Sequence, residues 1–149
     1  MTPVVIRAAL PGDEAAWRSL WRGYCSFYGT VLPEEVTTRT WTRILDPDSA
    51  IMCVVAEVEQ QVYGFAHCVV HENTWETQPV CYLEDLYVLP SARGRGIGTA
   101  LLEWLRNAMR AEGWARVYWM TQENNLAARR LYDRFTQADD FVRYMIRQR

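Results

Sequence analysis

Apolar residues recur along this chain at strand and helix spacings, with turn residues between the runs. Val4–Arg7 reads as a short strand, and Pro11-Gly-Asp13 interrupts it and offers Asp13 as a helix N-cap. Trp17, Leu20, Trp21 and Tyr24 follow at i, i+3, i+4 and i+7, the stripe of an amphipathic helix. A second helix is predicted from Pro33-Glu34-Glu35 to Asp46-Pro47, where proline stops it, and Cys25 to Gly29 reads as an aromatic loop between the two. Ile51–Val58 and Val62–Val70 form a predicted β-hairpin, and a polar loop around His71–Pro79 leads to a strand over Val80–Val88. Leu101, Leu102, Leu105 and Met109 share one face of a helix over Thr99–Glu112, and Gly113 suits its C′ position. Arg116–Thr121 reads as a strand, Asn125 to Phe135 as a last helix, and Phe141–Ile146 as a closing strand.

This order implies an α+β fold: a mixed, largely antiparallel central sheet flanked by helices on both faces. No linker, repeat or low-complexity segment divides the chain, so residues 1–149 are expected to form a single domain. Half of the residues are hydrophobic and 23% are charged, a globular composition. The longest apolar run, Ala50 to Ala56, is far below the ~18 residues that a membrane span needs. No signal-peptide pattern opens the chain. Cys25, Cys53, Cys68 and Cys81 form no Cys-x-x-Cys pair, and three of them lie in strand-like runs. They read as reduced thiols of a cytoplasmic protein.

Charge changes the picture more by its placement than by its sum. Net charge is −2, but residues 1–90 carry 5 Arg against 12 acidic residues, while residues 91–149 carry 11 Arg against 6. A basic half suits a phosphate-bearing ligand and an acidic half suits a cation. His67 and His71 share a strand face without a third ligand, and no metal is expected.

The chemistry is carried first by Tyr82-Leu-Glu-Asp-Leu-Tyr-Val-Leu-Pro-Ser-Ala-Arg93-Gly-Arg-Gly96-Ile-Gly98-Thr99. An apolar strand runs into an Arg/Gly-rich turn that opens a helix, so backbone N–H groups converge at the helix's positive end, as a pyrophosphate requires. A P-loop is excluded because the chain has no lysine, and the dinucleotide pattern Gly-x-Gly-x-x-Gly fails because Thr99 occupies its third position. A nucleotide-binding regulator is therefore disfavoured. The strand supplies Glu84, an acid amid apolar neighbours and a candidate general base, with Asp85 beside it on the opposite face of a regular strand. A second motif, Thr121-Gln-Glu-Asn-Asn125-Leu-Ala-Ala128-Arg-Arg-Leu-Tyr132, puts Asn125 and Tyr132 two helical turns apart on one face.

The pattern Arg93-x-x-Gly96-x-Gly98 after a strand resembles the acetyl-CoA loop of the GNAT superfamily of N-acetyltransferases. Tyr-Leu-Glu-Asp-Leu-Tyr-Val resembles the corresponding strand of its diamine/spermidine and histone-type subfamilies. Asn125-x-x-Ala128-x-x-x-Tyr132 matches a further motif of the superfamily, and the element order is similar over nearly the whole chain. The resemblance implies an N-acetyltransferase with acetyl-CoA as co-substrate and no metal. It implies that Leu86, Tyr87 and Val88 pair with the pantetheine arm, and that Arg93, Gly94, Arg95, Gly96, Ile97, Gly98 and Thr99 hold the pyrophosphate. Asn125 and Ala128 would meet the pantetheine, and Tyr132 would protonate the leaving thiolate, as a phenol of pKa near ~10 can. Glu84 would take the proton of a primary amine, of which only about one molecule in a few thousand is free base at neutral pH. Phe27, Tyr28, Glu84 and Asp85 are the expected acceptor-side contacts. The acceptor is expected to be a small-molecule or protein amine (polyamine, lysine-like molecule or protein lysine), with no nucleic acid and no membrane as partner, and a homodimer is expected by resemblance. The alternative is a catalytically silent acyl-CoA-binding module on the same fold, which would dispense with Glu84 and Tyr132. The sequence departs from the superfamily after Tyr132, where Gln137-Ala-Asp-Asp-Phe141 replaces the usual Gly-Phe pair.

Overall fold

The Val- and Ile-rich runs pair into a five-stranded sheet in the computed structural model, which describes residues 2–148. Its strands are β1 (Val5–Ala8), β2 (Ile51–Val58), β3 (Gln61–His71), β4 (Val80–Val88) and β5 (Val117–Tyr118), ordered β1-β2-β3-β4-β5. The first three pairings are antiparallel and β4–β5 is parallel. A parallel neighbour requires a crossover, and α3 (Ile97–Glu112) supplies it. The β2–β3 hairpin closes through Glu59 and Gln60, both at positive φ, the backbone of a two-residue turn that follows strand twist.

Helices cover both faces, as the order predicts. On one face α1 (Glu14–Phe27) and α2 (Glu34–Leu45) press Trp17, Leu20, Trp21, Trp41 and Ile44 onto Cys53, Val55, Phe65 and Tyr87. On the other, Ile97, Leu101, Leu102 and Leu105 of α3 meet Val54, Ala56, Ala66, Cys68, Cys81 and Leu83, with Leu131 and Tyr132 of α4 (Leu126–Tyr132) packed alongside. Burial of that much apolar surface, at roughly 25 cal/mol per Å² removed from water, holds the helices to the sheet.

Three expectations are corrected. Cys25, Ser26 and Phe27 belong to the last turn of α1 rather than to a loop, because the i, i+4 stripe runs on without a breaker until Gly29, at φ +68°. The strand expected over Arg116–Thr121 shrinks to Val117–Tyr118, which pairs only with Cys81 and Tyr82. The closing strand over Phe141–Ile146 does not form; among the described residues no helix or strand follows Tyr132, and Phe141, Tyr144 and Ile146 are 86%, 90% and 100% exposed. An apolar run needs a sheet edge to become a strand, and the described residues pair none with it.

Asp13 occupies the N-cap position of α1 without capping it. Its carboxylate turns back to accept the Leu10 N–H at 2.7 Å and two bonds from the Arg7 guanidinium at 2.7 and 3.0 Å. Arg7, which also reaches Glu57 at 3.1 Å, thus ties β1 and β2 to the entry of α1. The hydrogen bonds from Arg7 hold the Asp13 carboxyl below the usual carboxylate range. Because its folded pKa lies below the unfolded one, this stabilisation is complete above about pH 4 and is lost as pH falls further. Asp13→Asn is expected to lower the unfolding free energy at pH 7 by about 1–3 kcal/mol. Urea titrations from neutral to acid pH should show a smaller acid loss in the variant than in the wild type, and equal losses would refute the assignment.

Candidate active site

The parallel pairing of β4 with β5 ends at Tyr82 and Tyr118, so from Leu83 to Val88 that edge of β4 has no neighbouring strand among the described residues. β4 is also irregular. His67 and Cys68, adjacent on β3, pair with Asp85 and Leu83, leaving Glu84 as one extra residue in a bulge. The bulge inverts the side-chain alternation that a regular strand would keep. Cys81 and Leu83 face α3 before it, while Asp85 and Tyr87 face α1 after it.

A cleft of about 500 Å³ opens beside this free edge. Leu86, Tyr87 and Val88 form its floor, and Arg93, Gly94, Gly96, Ile97, Gly98 and Thr99 form one end. Asn125, Ala128 and Tyr132 of the α4 segment and Phe27 and Tyr28 from the end of α1 complete the walls. The fold thus gathers nearly every residue that the sequence singles out, although they come from four separate segments. Three do not line the cleft: Arg95, Glu84 and Asp85.

The glycines of the turn have two different reasons. Gly94 and Gly96 lie at φ +82° and +77°, where a Cβ would be strained, and open space surrounds both. Gly98 has an ordinary backbone, but a Cβ there would meet Leu131 Cδ2 at 2.9 Å, so glycine lets α3 approach α4. The first helical bond of α3 runs from the Ala100 N–H to Gly96 O, at 2.9 Å, which leaves the N–H groups of Ile97, Gly98 and Thr99 without an acceptor inside the helix. Free donors at a helix's positive end, in a glycine cradle open to the cleft, fit a pyrophosphate. Arg93 is partly committed elsewhere: its Nε donates to Val88 O at 3.1 Å and its guanidinium lies 5.7 Å from the Tyr87 ring centre.

Tyr132 projects from α4 into the cleft, edge-on to Trp119 at 5.5 Å. Burial, with a smaller contribution from Tyr28, pushes its hydroxyl up to about 12, so it remains a proton donor at neutral pH. Asn125 spends one amide hydrogen on Thr121 Oγ1 at 3.1 Å. Glu84 is exposed on the bulge, and partial desolvation, reinforced by the charge of Asp85, pushes its carboxyl up. Asp85 is turned under α1, where it accepts from His67 Nδ1 at 3.0 Å. His71, the second histidine of the strand face, bonds Glu72 O and the Tyr118 hydroxyl, and no metal-binding group occurs among the described residues.

Four cleft residues escape the sequence pattern: Tyr24, Ala127, Leu131 and Arg134. Tyr24 belongs to the apolar stripe of α1, yet it reaches the cleft one turn before Tyr28. Arg134 lies where the chain departs from the superfamily, and its Nη2 donates to Thr99 Oγ1 at 2.6 Å across the end of the cradle. Its place directly after Tyr132-Asp133 was the available signal.

Comparison with known proteins agrees with this geometry. Residues 15–136 match the family model described as the acetyltransferase (GNAT) family. A D-amino-acid N-acetyltransferase of Saccharomyces cerevisiae, HPA3, is 37% identical over 143 residues, which cover 95% of this chain and 89% of that protein. An aminoglycoside N(6′)-acetyltransferase type 1 of Stenotrophomonas maltophilia is 34% identical over 110 residues, 69% of this chain and 68% of its own length. Among solved structures, the aminoglycoside N-acetyltransferase AAC(6′)-Iy in complex with CoA superposes with a TM-score of 0.84 at 20% identity, covering 99% of this chain and 97% of that one.

The environment of Tyr132 yields a direct measurement. In a pH titration of ring-labelled tyrosine followed by ¹³C NMR, the resonance lost in Tyr132→Phe should reach half-ionisation near pH 12. A midpoint at the ~10 of free tyrosine would remove the burial argument.

Proposed function

Because this chain belongs to the acetyltransferase (GNAT) family and is an N-acetyltransferase by that membership, we propose that it transfers the acetyl group of acetyl-CoA to a primary amine by direct attack on the thioester. The carrying observation is that one cleft holds both the glycine cradle at the α3 N-terminus and the protonated Tyr132 hydroxyl. In this reading residues 93–99 anchor the pyrophosphate, with Arg95 acting from outside the cleft wall, and Leu86–Val88, Asn125 and Ala128 align the pantetheine. Acetyl-CoA supplies the activated acyl group. Tyr132 gives its proton to the departing thiolate. Glu84 receives the ammonium proton through water, since it stands on the bulge outside the cleft wall and its raised pKa improves it as a base near neutrality. Phe27 and Tyr28 line the acceptor side, and Asp85 contributes negative charge from beneath α1.

The relatives' names, with D-amino acids and an aminoglycoside as acceptors, favour a small amine over a protein lysine. The four unpaired cysteines suit a reducing, cytoplasmic compartment. A homodimer is part of the proposal, supported by the exposed apolar residues Phe141, Tyr144 and Ile146, which have no partner surface in a single copy among the described residues.

Release of free CoA, monitored across a panel of amines, tests the mechanism. Tyr132→Phe should lower kcat by roughly 10²–10³-fold, and Glu84→Gln by roughly 10–10²-fold. Activity should fall with pH through the raised pKa of Glu84 in the wild type, because only the carboxylate accepts a proton, and this acid limb should be absent in Glu84→Gln. Unchanged turnover in both variants would remove the mechanism, and tight acetyl-CoA binding without turnover on any amine would favour the silent acyl-CoA module.

Sedimentation equilibrium tests the assembly. The wild type should run at twice the chain mass, and Phe141→Glu with Ile146→Glu should run at the mass of one chain. A monomeric wild type would overturn the homodimer.

A further inference from the structure

The floor of the cleft, Leu86 to Val88, begins directly after a break in its pairing with β3. Its far end is held through the backbone: the Leu89 N–H donates to Tyr63 O at 2.8 Å, and Arg93 Nε donates to Val88 O at 3.1 Å. Its outer edge has no neighbouring strand among the described residues. At its near end the bulge at Glu84 interrupts the ladder, because the extra residue has no partner opposite. A side-chain bond spans that interruption. Asp85, the cross-strand partner of His67, lies with Oδ2 3.0 Å from His67 Nδ1. On the other side of the imidazole, the Trp17 indole Nε1 lies 2.8 Å from Nε2. An indole N–H only donates, so Nε2 carries the lone pair, and the ring hydrogen sits on Nδ1 and is given to Asp85. Trp17 is fully buried and His67 is 3% exposed, so bulk water replaces neither bond. The rings of Phe65 and Trp21, centred 4.4 and 5.2 Å from the imidazole, pack against it.

We propose that Trp17, His67 and Asp85 are positioning residues for acetyl transfer: their line pins the bulged end of the floor to β3 and α1, so that Leu86, Tyr87 and Val88 hold the thioester in line with the Tyr132 hydroxyl. This rests on the acetyltransferase reading above, which it extends from the groups lining the cleft to a buried line behind them. No bond is made or broken in this step. An apolar line of equal volume would pack α1 on the sheet at least as well. What the polar line adds is an attachment of β4 at the place where the bulge interrupts its ladder. Binding of acetyl-CoA draws on the glycine cradle beyond the other end of the floor, which the line does not touch. Reaction requires alignment of the reacting atoms, and a misplacement of about 1 Å can cost on the order of 10²-fold in rate. The line therefore acts on kcat and spares KM for acetyl-CoA.

Two substitutions in the full chain separate this role from packing. An asparagine amide falls near the position of Nδ1 and still donates to Asp85, whereas a glutamine amide falls near Nε2 and leaves Asp85 without that donor. His67→Gln should lower kcat by roughly 10–10²-fold while KM for acetyl-CoA changes by less than about threefold, and His67→Asn should recover most of the rate. Equal losses of kcat in the two variants, or a loss confined to KM for acetyl-CoA, would overturn the proposal. Amide hydrogen exchange gives a readout that needs no amine. The floor amides that pair with β3 should exchange about tenfold faster in His67→Gln than in the wild type, while Val54 of β2 keeps its rate. Equal acceleration throughout the sheet would mark a general loss of stability and sink the positioning role. Should both variants fold poorly, the wild type decides: long-range ¹H–¹⁵N NMR at neutral pH should place the His67 hydrogen on Nδ1, and a hydrogen on Nε2 would refute the line. Failure of the wild type to turn over any amine would instead strike the acetyltransferase mechanism, with the exchange rates still deciding whether the line pins the floor.

Discussion

One surplus residue in β4 governs the arrangement of the site. Up to Leu83 the strand sends its odd-numbered side chains into the core under α3, and a regular continuation would send Asp85 there too, among Leu101 and Leu105. An unpaired carboxylate in that environment would cost several kcal/mol. The bulge at Glu84 moves Asp85 and Tyr87 to the face of α1, where His67 supplies a donor, and hands Leu86 and Val88 to the α3 side. Tyr87 then meets α1 at Gly23, where any Cβ would lie 2.6 Å from its hydroxyl. The local irregularity is thus matched by a glycine one layer away, and the two together set how closely α1 overlies the cleft.

The same bulge separates two adjacent carboxylates into different environments. Asp85 is enclosed and hydrogen-bonded, with its charge committed to the groups around it. Glu84 is left at the surface of the strand without a partner among the described residues, and both partial desolvation and the neighbouring charge of Asp85 push its carboxyl up. Neighbouring acids whose surroundings differ are suited to different tasks. Here one anchors a hydrogen-bond line and the other is free to exchange protons with water.

The parts of this molecule that were legible in its sequence are those fixed by local spacing. Gly94, Gly96 and Gly98 announce the cradle because backbone conformation and close packing leave few alternatives to glycine, and Asn125 and Tyr132 announce their shared face because helical period is a short-range property. The β2–β3 hairpin and the two-sided helix cover were legible for the same reason. The bulge was not, because it is defined by the register between β3 and β4, and nothing in Tyr82-Leu-Glu-Asp-Leu-Tyr-Val marks which residue is skipped. Trp17, His67 and Asp85 are fifty and eighteen residues apart along the chain, so their line exists only after the sheet has formed. Tyr24 looked like core because its stripe is core for three of its four members. The Phe141–Ile146 run is rich in aromatic and β-branched residues, but a strand is a property of a pair, and this run has no second member among the described residues.

The segregation of charge along the chain acquires a spatial meaning in the folded protein. The cradle and Arg134 come from the arginine-rich second half, and they end the cleft in backbone donors and guanidinium groups. Tyr24, Phe27 and Tyr28 come from the acidic first half, which also contributes Glu84 and Asp85 just outside the cleft wall. The cationic groups of the lining are thus gathered at the cradle end, and the other end is lined by uncharged aromatic rings. An anion gains most at the cradle end, where the cleft is partly desolvated and its attraction to the guanidinium groups is least screened.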